Sequence, residues 1–153
     1  PHQFYYISYF VNAISLLLQF KVGACIINED KKIVGIGYNG MPRGCDDSSL
    51  PWEWDKNSQL KDLYGNMCHA EMNAILNKNC AKISGCKMYV AQFPCNGCAK
   101  FIIQEEIREL IYFLEYEESP EIKAAKKLLS LAGVKYRFVQ PFMYLFLIMH
   151  YFD

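Results

Sequence analysis

Lys87-Met-Tyr-Val-Ala-Gln-Phe-Pro-Cys-Asn-Gly-Cys-Ala-Lys-Phe-Ile-Ile-Gln104 switches within a few residues from a strand pattern to a helix pattern. Lys87–Ala91 is an apolar run of strand length, and Pro94 opens a helix reaching about Gln104, because its fixed φ suits a first helical turn. The same alternation continues downstream. Leu110–Leu114 reads as a strand, Pro120 opens a helix to Leu131 with Gly133 as its C-cap, and Val134–Val139 reads as a last strand. Upstream, a helix is predicted from about His69 to Asn77. Val22–Ile27 and Ile33–Tyr38 form a hairpin around the charged turn Asn28–Lys32. Strands alternating with helices define an α/β domain, a three-layer arrangement around one sheet.

The whole chain, residues 1–153, reads as a single domain, and a domain of this length buries roughly 70% of its unfolded surface without needing staples. With 52% hydrophobic and 21% charged residues it is neither a disordered tail nor a collagen-like repeat. Sixteen Lys+Arg balance sixteen Asp+Glu, so no surface is built to neutralise a run of phosphates and no nucleic-acid partner is expected. A small acidic ligand remains compatible. Seven cysteines, an odd number with one tight Cys-x-x-Cys pair, make a poor disulfide framework and point to a reducing, cytoplasmic or nuclear setting. Cys25 and Cys86 sit in strand-like runs and are expected in the core.

Residues 4–20 are strongly apolar but shorter than the ~20 residues of a bilayer span, and no Lys or Arg precedes them. Ser8, Asn12, Ser15 and Gln19 form a polar stripe opposite Phe4, Ile7, Val11, Ile14 and Leu18. That is an amphipathic helix for a sheet or a subunit interface, not a membrane. Residues 39–67 form a long loop in which Pro51-Trp-Glu-Trp54 argues for order, and the aromatic tail 142–152 reads as a terminal helix. The sequence opens at Pro1 without a Met, so the true N-terminus is expected outside it.

Chemistry concentrates in Cys68-His-Ala-Glu71 and Pro94-Cys-Asn-Gly-Cys98. Imidazole and thiolate are zinc ligands, Cys95 and Cys98 share one face of a helix start, and a helix N-terminus favours the thiolate. His69, Cys95 and Cys98 would leave a fourth zinc position for water, and Glu71 beside it is placed to move that water's proton. The alternative is a closed structural Cys₃His site that includes Cys68, although adjacent helical residues point about 100° apart. His-x-Glu followed by Pro-Cys-x-x-Cys is the layout of zinc nucleobase deaminases, in which the Glu is not a ligand.

From Val22 to about Phe138 the chain resembles the eukaryotic deoxycytidylate (dCMP) deaminase family. The resemblance is carried by Val22-Gly-Ala-Cys25, Gly35-Ile-Gly-Tyr-Asn-Gly-Met-Pro42, Leu50-Pro-Trp52, Cys68-His-Ala-Glu-Met-Asn-Ala-Ile75, Met88-Tyr-Val90, Phe93-Pro-Cys-Asn-Gly-Cys-Ala-Lys100 and Leu131-Ala-Gly-Val134. It implies a cytidine-deaminase-like α/β/α sandwich around one mixed sheet of about five strands. It also implies hydrolysis of dCMP to dUMP and ammonia, feeding thymidylate synthesis. It assigns one catalytic Zn²⁺ to His69, Cys95 and Cys98, and the proton shuttle between water and ring N3 to Glu71. Asn39 would contact the sugar, though Asn before Gly40 also suits a plain turn. The Ala70 amide would meet the ring oxygen, and a carbonyl around Phe93 the leaving amine. A cytoplasmic homohexamer activated by dCTP and inhibited by dTTP, with Mg²⁺ alongside the effectors, is implied as well.

Two departures from the family pattern stand out: Leu16-Leu-Leu-Gln-Phe-Lys21 in place of a polar segment, and Glu105-Glu106 in place of a small-residue pair at a solvated helix end. Arg43 is a candidate for a nucleotide phosphate, with a solvated loop arginine as the equal alternative. Two further readings stay open: a deaminase of another base or nucleoside, and a non-catalytic, zinc-stabilised protein of the same fold.

Overall fold

The computed structural model describes residues 22–45, 67–114 and 119–139. Five strands form one mixed sheet: β1 (Gly23–Ile27), β2 (Ile33–Tyr38), β3 (Lys87–Gln92), β4 (Glu109–Leu114) and β5 (Lys135–Phe138). Their spatial order is β2-β1-β3-β4-β5, with β1 antiparallel to both neighbours and β3, β4 and β5 mutually parallel. Three helices connect them: α1 (Ala70–Leu76), α2 (Asn96–Gln104) and α3 (Pro120–Leu131).

Helix ends follow local chemistry. Ser119 caps α3, its Oγ accepting from the Ile122 amide at 3.2 Å, with Pro120 in the first turn and Gly133 in the left-handed region beyond the end (φ 74°). Pro94 does not open α2. The helix begins at Asn96 with Cys95 as its cap, so the proline shapes the approach to the helix instead. The Glu105 end of α2 is tied rather than merely solvated, because Glu105 Oε1 accepts from Lys78 Nζ at 2.9 Å, just past the end of α1.

Alternation along the strands divides the core between two faces. Ala24, Ile26, Met88, Val90 and Leu110 join Ala74 and Ile75 of α1, Ala99 and Ile102 of α2, and Ala125 and Leu129 of α3. All three described helices therefore pack on one side of the sheet. The opposite side, Cys25, Ile27, Tyr89, Ala91, Ile111 and Phe113, is buried just as deeply. Burial on both faces explains why β1 and the centre of β3 read as unbroken apolar runs. The helix expected over residues 4–20, the Pro51–Trp54 loop and the aromatic tail lie outside the described residues.

Helix α1 lies directly on β2, and glycine makes that approach possible. A Cβ at Gly35 would meet the Ala74 carbonyl oxygen at 2.5 Å, and one at Gly37 would run into the Ala74 amide and the Ala70 carbonyl. Those obstacles are helix backbone, so the helix itself must move. Gly37→Ala should cost about 3 kcal/mol or more in urea unfolding. A loss below about 1 kcal/mol would show that α1 has room to shift.

Beyond glycine, α1 and the residues just past its end seal the outer edge of β2. Asn73 Nδ2 donates to the Tyr38 carbonyl at 2.7 Å and Asn77 Nδ2 to the Ile36 carbonyl at 3.2 Å, while the Asn79 amide reaches the Val34 carbonyl at 2.8 Å. A helix thus occupies acceptors that an added strand would otherwise take.

At the opposite end of the sheet Glu109 accepts from Lys87 at 2.6 Å and from Arg137 at 2.8 Å, joining β3, β4 and β5. Burial alone would raise its pKa, but hydrogen bonds and charge from those two cations outweigh it and hold it below the usual carboxylate value. A depressed folded pKa adds stability above the unfolded value of about 4.3, and this is lost as pH falls through the folded pKa. Glu109→Gln should therefore destabilise by about 1 kcal/mol at pH 7. The difference from the parent should shrink in unfolding curves as pH falls through the folded pKa. An equal deficit at pH 7 and pH 3 would refute this account.

Candidate metal centre and active site

The C-terminal ends of β2 and β3 flank the start of β1, because β1 runs antiparallel to both. The chain segments leaving β2 and β3, and the start of α1, therefore meet at one edge of the sheet. The Gly40–Cys68 bridge closes the meeting point: the Cys68 amide donates to Gly40 O at 2.8 Å and the Gly40 amide to Cys68 O at 3.1 Å.

His69 is the residue before α1, with extended backbone (φ −71°, ψ 155°), and Cys95 occupies the same position before α2 (φ −68°, ψ 168°). Both side chains therefore stand at helix N-termini, where the dipole favours negative charge. Cys95 Sγ accepts from the Cys98 amide at 3.4 Å, which holds the Cys95 sulfur over the first turn of α2. His69 Nδ1 lies 3.4 Å from Cys95 Sγ and 3.4 Å from Cys98 Sγ. All three donor atoms fall within 4.8 Å of one another.

A tetrahedral zinc with Zn–S near 2.3 Å and Zn–N near 2.0 Å requires N···S separations of about 3.5 Å. The observed distances match, so the donor set fits zinc with His69 bound through Nδ1. Cys68 is not part of this group, so the four described residues do not assemble a closed Cys₃His set.

Electrostatics within the cluster are uneven. The Cys95 thiol is lowered to about 4, first by a hydrogen bond from Cys98, then by His69 and the Cys98 amide against the cost of burial. Cys98 is pushed up by its bond to Cys95, by burial and by the Glu71 carboxylate. Zinc is bound by thiolates, so a bound ion would draw the proton from Cys98 as well.

Glu71, in the first turn of α1, is only 4% exposed and is the one buried charged side chain among the described residues. Burial raises its pKa, opposed by its own amide, by His69 and by Cys98. A buried carboxyl group that hydrogen-bonds a metal-capable cysteine, and whose pKa burial raises, is equipped to take up and release a proton.

The remaining candidates fall at varying remove. Asn39 follows the last residue of β2, where its Oδ1 accepts from the Val22 amide at 2.7 Å and its amide donates to Val22 O at 3.2 Å. Ala70 is the first residue of α1, so its amide has no partner within the helix. Phe93 is a core ring, edge-on to Tyr112 at 4.9 Å and Tyr136 at 5.6 Å, which anchors the backbone leading to Cys95. Arg43 is exposed on the turn where the Cys45 amide bonds Pro42 O at 2.9 Å, outside the metal-capable group. Sequence reading did not single out Asn73, which bonds the backbone before Asn39; its place one turn beyond His69 was the available signal.

Residues 11–114 match the family described as the cytidine and deoxycytidylate deaminase zinc-binding region. The chain belongs to this family of zinc-dependent deaminases. Within it the similarity runs to deoxycytidylate deaminases. The chain is 55% identical over 122 residues to the Mus musculus deoxycytidylate deaminase, covering 79% of this chain and 68% of that protein. To the Homo sapiens deoxycytidylate deaminase it is 54% identical over 118 residues, covering 76% and 66% respectively. It thus spans about two thirds of the length of these relatives. In fold it is similar to the dCMP deaminase of cyanophage S-TIM5, solved in complex with dCMP and dUMP. That likeness has a TM-score of 0.69 and 24% identity, over 91% of this chain and 98% of that one.

Proposed function

We propose that the protein hydrolyses dCMP to dUMP and ammonia, supplying dUMP for thymidylate synthesis. The observation that carries this reading is a buried carboxyl group, Glu71, beside three converging zinc donors in a chain related to deoxycytidylate deaminases. His69 Nδ1, Cys95 Sγ and Cys98 Sγ would hold the ion. Zinc bound there would lower the pKa of a water toward about 7 and make it a nucleophile at neutral pH.

The protein's own part is proton traffic and orientation. Glu71 takes a proton from the attacking water and delivers it to ring N3, which makes C4 more electrophilic. The water oxygen bonds to C4, its remaining proton passes through the same carboxylate to the amino group, the C4–N bond breaks, and ammonia departs. Asn39 contacts the sugar, the Ala70 amide meets the ring oxygen, and a carbonyl near Phe93 receives the leaving amine. Arg43 meets a nucleotide phosphate. In the same reading the enzyme is a cytoplasmic homohexamer, activated by dCTP and inhibited by dTTP with Mg²⁺.

Ammonia release from dCMP by the zinc-loaded protein tests the proposal, with cytidine and dCTP as competing substrates and dCTP added as effector. Turnover confined to dCMP and raised by dCTP supports substrate and regulation together. Turnover of cytidine alone would overturn the substrate. No turnover with zinc bound and the fold intact would overturn the catalytic reading.

A further inference from the structure

We propose that Asn73 is a positioning residue for substrate binding, which holds the backbone carrying Asn39 in register with the backbone carrying His69. The inference rests on the dCMP deaminase reading above and extends its site by one residue. Asn73 lies one turn beyond His69, and its amide donates to the His69 carbonyl at 3.0 Å. Its side-chain Nδ2 donates to the Tyr38 carbonyl at 2.7 Å and lies 3.5 Å from the Cys68 carbonyl.

These two carbonyls belong to the peptide groups that immediately precede Asn39 and His69. One carboxamide nitrogen thus spans the junction between the end of β2 and the metal-bearing end of α1. Cys68 O also accepts from the Gly40 amide, and Asn39 is held from its other side by Val22. The peptide entering Asn39 is therefore constrained on both sides, with Asn73 holding it from α1.

The chemistry narrows which side chain can do this. Both partners are carbonyl oxygens, so the bridging atom must carry two protons and reach them from the first turns of a short helix. A carboxamide of asparagine length meets that need. A carboxylate of the same shape offers only acceptors and would face two oxygens.

Asn77, the C-terminal cap of α1 one turn further on, provides an internal control. Its Nδ2 makes the same kind of bond to the same strand, reaching Ile36 O at 3.2 Å, but away from Asn39 and His69. Loss of a strand-edge hydrogen bond is common to both positions. Of the two, only Asn73 bonds the peptides that lead into Asn39 and His69.

Steady-state kinetics of holoenzyme Asn73→Asp and Asn77→Asp, each with and without Asn39→Ala, test the proposal. Asn73→Asp should raise the KM for dCMP by about tenfold or more at near-parental kcat, with one zinc retained. Asn77→Asp should leave KM within about twofold. In the Asn39→Ala background the effect of Asn73→Asp on kcat/KM should shrink below about threefold, because the residue it positions is gone. Equal effects at positions 73 and 77, an unchanged KM, a neutral Asn39→Ala, or fully additive losses would each overturn the proposal. If Asn73→Asp does not fold, Asn73→Ser enters the same cycle. A parent enzyme silent on dCMP would instead defeat the underlying reading, whereas an active parent with an additive cycle defeats this inference alone.

Discussion

Glu71→Ala should lower kcat for dCMP by at least about 10³-fold while leaving one zinc bound and the fold intact. General acid–base catalysis contributes about 10²- to 10⁴-fold for each positioned group, and the proposed mechanism asks two successive transfers of this carboxylate. Zinc should stay because Glu71 is not one of the three converging donors. Stability should hold or rise. The group is 4% exposed with its pKa pushed up by burial, so the folded protein bears a desolvation cost that alanine removes. Kinetics, metal analysis and thermal melting on one preparation check all three. Retention of more than about a tenth of the parental rate would remove Glu71 from the proton path. Glu71→Gln, which keeps the shape without the exchangeable charge, should be as inactive as alanine.

The second large effect lies in the metal. Cys98→Ala should weaken zinc binding by more than about 100-fold, because even altering the partners of a ligand costs 10- to 100-fold and this change deletes a donor. Activity should fall with metal content, and melting should shift downward, since binding energy at such a site is also folding energy. Cys68→Ser is the matching control. Cys68 stands next to His69 in the chain but outside the donor group, and its bridge to Gly40 is made by backbone atoms that serine keeps. Zinc content by mass spectrometry should therefore remain near one per chain. Loss of zinc from Cys68→Ser would revive the four-ligand structural site.

Much of the chemistry was legible before any coordinates because it is local in the chain. The spacing of Cys95 and Cys98 and the strand-to-helix switches at Lys87–Gln104 and Leu110–Leu131 each depend on residues within a turn or two of one another. Such features respond to backbone periodicity and capping, which a sequence carries directly. The resemblance to deoxycytidylate deaminases was readable for the same reason, since its motifs are short and contiguous. Pro94 does not open the helix because the cysteine after it takes the capping position, a contest between neighbours that spacing does not resolve.

What only the tertiary structure decided depends on which distant segments touch. The order β2-β1-β3-β4-β5 brings the ends of β2 and β3 to one edge, and the contacts made there decide that His69 presents Nδ1, that Cys68 stays out of the donor set, and that Glu71 is buried. Gly37 reads as one of several strand glycines until the helix backbone is seen against it. Asn73 reads as an ordinary helical asparagine until its amide is seen between two carbonyls, one of them in β2. Residue type states what a side chain can donate, accept or bind. Only the packing of α1 on the sheet determines which partner stands within reach, because that distance is set by backbone segments far apart in the chain.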